Sequence, residues 1–197
     1  SASFFQQLDY YMLMISSLSA SNLQFPLACT GQNQSYKKSL YQSINGFSKI
    51  ETLLQGDDSI FLQLLNRHRK LNVTFSTDIN SHVISKVHYN WKNLLLQRMR
   101  WAGDAKIMWK YNKIFYILIL ATFFSNLFFI VSPIILFEYI NLVLLILFFK
   151  FILEFILYYI GIKKINQSLH FMQFIYWFVL QIPYVVLMGI LSFFTPM

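Results

Sequence analysis

At 197 residues, with 56% hydrophobic, 19% aromatic and 12% charged side chains, the chain is too apolar for an ordinary soluble domain. Its formal charge of +8 comes with no nucleic-acid motif, so anionic lipid headgroups or a diphosphate explain the charge more simply than DNA or RNA. A lone cysteine, Cys29, excludes an internal disulfide and a cysteine metal cluster.

Phe4, Phe5, Leu8, Tyr11, Met12 and Ile15 fall at helical spacing, with Gln6, Gln7 and Asp9 on the opposite side, and predict an amphipathic helix. The small and polar residues 16–22 read as a loop, and 26–30 as a short strand delivering the turn Gly31-Gln32-Asn33. Tyr36, Leu40, Tyr41 and Ile44 predict a second helix, with Asn33 as its N-cap, the basic pair Lys37-Lys38 near its start and Asn45-Gly46 at its end. Gly56-Asp57-Asp58 then precedes Ile60, Phe61, Leu64 and Leu65, where an Asp suits a helix N-terminus. Residues 71–76 and 82–87 read as strands. Asn90 is the expected cap of a helix from Trp91 to Trp109 at the membrane surface. His68, His82 and His88 stand at no metal-ligand spacing.

Charge divides the chain in two. Residues 1–113 hold 13 Lys/Arg and six Asp/Glu, whereas 114–197 hold three and two. The run 114–137 has no charge in 24 residues, enough at about 1.5 Å per residue to cross a hydrocarbon core. Residues 139–162, interrupted by Lys150 and Glu154 one turn apart, and 171–194 are the second and third expected spans. Pro133 and Pro183 are tolerable within them. Lys106, Lys110 and Lys113 before the first span, and Lys163 and Lys164 after the second, place 1–113 and the 163–170 loop in the cytoplasm and the C-terminus outside.

Just before the first span, Gln97, Arg100 and Trp101 occupy i, i+3 and i+4, a single helix face. An amide, a guanidinium and an indole there suit a sugar and a phosphate, since Arg forks onto phosphate oxygens and a flat ring stacks on a pyranose. They suit lipid headgroups and the interfacial aromatic belt equally well. Arg98 lies about 160° from Arg100 around such a helix and points elsewhere.

The order Gly31-Gln32-Asn33, Lys37-Lys38, Asn45-Gly46-Phe47, Gly56-Asp57-Asp58 and Gln97-x-x-Arg100-Trp101, followed by membrane helices, resembles the acceptor-side half of the family 2 glycosyltransferases. These are inverting enzymes of the GT-A fold that include cellulose, chitin, hyaluronan and poly-N-acetylglucosamine synthases. The resemblance covers roughly residues 20 to 110. It implies an α/β fold, the acceptor-side half of a GT-A domain, followed by three transmembrane helices. It further implies an integral membrane enzyme, in the plasma membrane if bacterial, with its catalytic part in the cytoplasm. A nucleotide-diphospho sugar would be the donor, and a lipid-linked or growing glycan the acceptor.

Under this resemblance Asp58 takes the proton of the attacking hydroxyl, with Asp57 beside it where the family more often has Glu. Arg100 stabilises the leaving diphosphate, Gln97 and Trp101 position the acceptor, and Gly31 and Asn33 face it. A divalent metal, Mg or Mn, belongs to the donor half, whose β-α-β unit and Asp-x-Asp do not occur in these residues. The chain opens at Ser1 inside a helix, so it is expected to be the C-terminal part of a longer enzyme and inactive alone. The rival reading is a transporter or assembly subunit without enzymatic activity, which accounts for the spans and basic flanks but not for the motif order.

Overall fold

A computed structural model describes residues 1–53 and 58–194. It is 72% helical, and among the described residues it holds seven α-helices, three short 3-10 turns and no strand. The α/β expectation is therefore overturned: the described residues form no sheet from which half of a GT-A domain could be built. The three segments expected to be strands, 26–30, 71–76 and 82–87, run without regular structure. Side chains bond the backbone of the first segment and of the residue that follows the third. Gln63 Nε2 donates to the carbonyls of Pro26 and Leu27, the Cys29 N–H donates to Ser59 Oγ, and the His88 N–H donates to Gln6 Oε1.

Helix α1, Ala2–Asn22, includes the residues 16–22 expected to be a loop. Packing carries it through: Leu18 and Ala20 are buried, so the helix gains apolar contact by continuing, while Ser16 Oγ bonds back to the Met12 carbonyl at 2.8 Å. Helix α2 is Lys38–Ser43, capped at Lys37 rather than at Asn33, and ends at Asn45 and Gly46, both at positive φ. Helix α3, Ser59–His68, starts at Asp58, and α4, Trp91–Tyr111, starts at Asn90, whose side chain accepts the Asn93 N–H at 2.9 Å.

Helices α5, Lys113–Ile135, α6, Ile140–Lys164, and α7, Phe171–Ser192, are long and apolar enough to cross a membrane, matching the three expected spans. Helices α5 and α7 continue through Pro133 and Pro183. Side chains such as Phe124, Phe148 and Leu153 point outward, a surface that a bilayer would cover and water would not favour. Lys150 pairs with Glu154, and Gln181 Nε2 donates to Glu154 Oε2 at 2.7 Å, so the two intramembrane charges tie α6 to α7. A Cβ on Gly189 would sit 2.3 Å from the Phe123 ring, so this glycine is what lets α5 and α7 meet.

Two apolar clusters organise the molecule. One joins Phe5, Leu8, Met12 and Ile15 of α1 to Leu94 of α4, Tyr158 and Ile162 of α6 and Phe174 and Trp177 of α7. The other joins Ile44, Ile60, Phe61 and Leu65 to Met108 of α4 and partly buried residues at the start of α5. Helix α4 is common to both and carries the Gln97–Trp101 stretch between its buried residues Leu94 and Met108.

Candidate functional site

Helix α3 is stitched to the segment before the Gly31 turn. Ser59 Oγ donates to the Cys29 carbonyl at 3.1 Å, and the nearly inaccessible Gln63 holds the carbonyls of Pro26 and Leu27. This delivers Gly31–Asn33, a 3-10 turn, to the start of α3. There the Gly31 N–H donates to Asp58 Oδ2 at 3.3 Å, and the Ser59 N–H donates to Asp58 Oδ1 at 2.5 Å. The turn is fixed on its other side too. Asn33 Nδ2 donates to the Ser81 carbonyl at 2.6 Å, and Ser85 Oγ donates to Gln32 Oε1 at 2.6 Å.

The half-buried carboxylate of Asp58 thus accepts one backbone N–H on each oxygen. An ionised carboxylate has about four lone-pair sites, so it can still accept a proton from a substrate hydroxyl. Asn33 is exposed and held by its amide, so it serves neither as the expected cap nor as a buried structural residue. Gly56 and Asp57, the rest of the acidic motif, lie outside the described residues.

On α4 the expected face is open: Gln97 is half-buried, and Arg100 and Trp101 are exposed. Gln97 Oε1 accepts from Gln6 Nε2 at 3.4 Å, an α1 contact. Arg98 turns inward, is 3% exposed, and places Nη2 2.8 Å from Asp9 Oδ2. Its Cζ lies 4.2 Å from the centroid of the Trp101 ring, which is 41% exposed. Asp9 also faces Trp177 Nε1 at 3.5 Å. Burial pushes the Asp9 carboxyl above the usual carboxylate range, although the Arg98 charge and the Trp177 indole pull it down.

Gln6 and Asp9, expected on the outer face of α1, are therefore buried, because α4 and α7 pack over that side. Arg98 and Asp9 are the functional candidates that sequence reasoning missed. A signal existed: Asp9 is the one acid in the first 50 residues and sits mid-way along an apolar helix, where an ion calls for a buried partner.

Helix α3 meets α4 at the far end of the motif helix. Arg67 Nη1 donates to the Lys110 carbonyl at 2.6 Å, and Asn112 Nδ2 donates to Gln63 Oε1 at 2.9 Å. Lys110 is about 15 Å along the helix axis from Arg100. The structure brings Asp58 to the Gly31 turn and Gln97 to α1, with α4 as their common support. Among the described residues, no three of His, Cys, Asp and Glu are grouped so as to hold a metal ion. Comparison with family models, with curated proteins and with solved structures finds no match for this chain.

Proposed function

We propose that the chain is the membrane-anchored acceptor side of an inverting glycosyltransferase, which moves a sugar from a nucleotide-diphospho sugar to a lipid-linked or growing glycan. The observation that carries this reading is the Gly31 N–H bond to Asp58, which joins two pieces of the motif series 27 residues apart. Capping of α3 accounts for the bond from the Ser59 N–H, and the bond from the Gly31 N–H is additional to it. Asp58 is the general base, Arg100 meets the leaving diphosphate, and the Gln97 and Trp101 face receives the acceptor. Residues 1–113 lie on the cytoplasmic side, where the donor is made. The divalent cation used by this class of reaction is held by residues other than those described.

Asp58→Asn tests the reading, because Asn caps a helix as well as Asp does: its one amide oxygen keeps the Ser59 N–H bond, and only the bond from Gly31 is given up. Membranes bearing the enzyme to which this chain belongs are supplied with radiolabelled nucleotide sugars. Transfer should fall by on the order of a hundredfold or more, with donor binding near normal. Wild-type turnover in this variant removes Asp58 as the base.

One observation favours a transporter or assembly subunit instead: the Lys150, Glu154 and Gln181 contact inside the membrane region. On that reading Lys150→Met abolishes function and Asp58→Asn is silent.

A further inference from the structure

We propose that Arg98, anchored by Asp9, is a positioning residue that fixes the Trp101 indole as a stacking platform for the acceptor sugar, so that α1 sets the acceptor surface of α4. This rests on the acceptor reading above. Arg98 is the buried arginine of the motif, and its guanidinium is costly to bury. Its Nε, Nη1 and Nη2 make no aligned hydrogen bond, and the 2.8 Å approach to Asp9 is an ion pair without hydrogen-bond geometry. A Leu or Met of similar size would fill the junction of α1, α4 and α7 at lower cost.

What an apolar side chain does not supply is a flat cation against an aromatic ring. Arg98 lies 4.2 Å from the Trp101 centroid, one helical turn before it. One side of the indole is thereby occupied, and Trp101 as a whole remains 41% exposed. A ring held in this way does not need to be ordered when a pyranose arrives. The anchor itself is double. Gln6 and Asp9 share one face of α1 at i and i+3, and they hold the adjacent α4 residues Gln97 and Arg98. Helix α1 in turn is seated on α7 through Asp9 and Trp177 and through the Phe4 carbonyl and Gln173 Nε2.

The test uses the enzyme in detergent, labelled with 5-fluorotryptophan, its Trp101 resonance identified by its loss in Trp101→Phe. Arg98→Met should shift and broaden that resonance while leaving Trp109 in place. It should also weaken binding of chitotetraose or cellotetraose, read at Trp101, roughly fivefold. Arg98→Lys, which restores a cation between Asp9 and the ring, should recover most of both effects. If Arg98→Met does not fold, Asp9→Asn, which is nearly isosteric, should move the Trp101 resonance in the same direction. A Trp101 resonance unmoved in both variants overturns the proposal. A wild-type Trp101 resonance that neither tetrasaccharide perturbs overturns the acceptor reading, and the platform role with it. The two failures are read from different spectra.

Discussion

Ile15 lies directly against Gly161: a Cβ on that glycine would stand 2.3 Å from Ile15 Cγ2 and 2.6 Å from Cγ1. This contact seats α1 on α6, and Ile15 is almost wholly buried, so the side chain cannot turn away to solvent. Its β-branch leaves little rotamer freedom. Gly161→Ala should therefore destabilise the protein by about 1–3 kcal/mol despite the better helix propensity of Ala. Ile15→Ala in the same chain should restore part of the loss. Thermal unfolding of the two single variants and the double variant in detergent checks this, and additive losses would show that the contact is not what seats α1.

Asp9 gives a pH dependence with a defined sign. Its pKa is raised in the folded protein by burial. Between the unfolded value near 3.9 and that raised value, the unfolded chain releases a proton that the folded chain keeps. Stability from this group is thus fully present below about pH 4 and is lost as pH rises through the folded pKa, by at most about 1.4 kcal/mol per unit. The stability of the wild type relative to Asp9→Asn should fall as pH rises from about 4 and then level off. A relative stability that climbs over this range would mean that Arg98 outweighs burial at Asp9.

Arg100→Lys separates catalysis from anchoring. A flexible ammonium satisfies lipid headgroups as well as a guanidinium does, whereas it cannot make two parallel bonds to a diphosphate. On the catalytic reading the rate falls about a hundredfold, the equivalent of roughly 3 kcal/mol. The control is the exposed Lys92 at the start of α4, since Arg98 is buried against Asp9. Equal activity of Arg100→Lys and Lys92→Arg at matched expression would leave Gln97–Trp101 as an anchor.

Orientation follows from the basic flanks. Lys49→Cys in a Cys29→Ser background should resist an impermeant thiol reagent in intact cells and react after permeabilisation. Labelling in intact cells would reverse the topology.

The membrane helices were legible in the residues themselves, because a 24-residue charge-free run has only one economical structure in a bilayer. The same holds for the Asn90 cap and the Asn45-Gly46 helix end, which are local backbone chemistry. Alternation along 71–76 is there in the exposure pattern as well, yet it did not make a strand. A ladder depends on a partner segment, and whether one arrives is decided by the rest of the chain. For the candidate site, the residue types and the shared face of Gln97, Arg100 and Trp101 came from spacing. That Asp58 receives the Gly31 N–H, and that Arg98 turns inward to Asp9, came only from packing. Helical period states which side chains share a face, but only the neighbours α1 and α7 determine which face becomes buried.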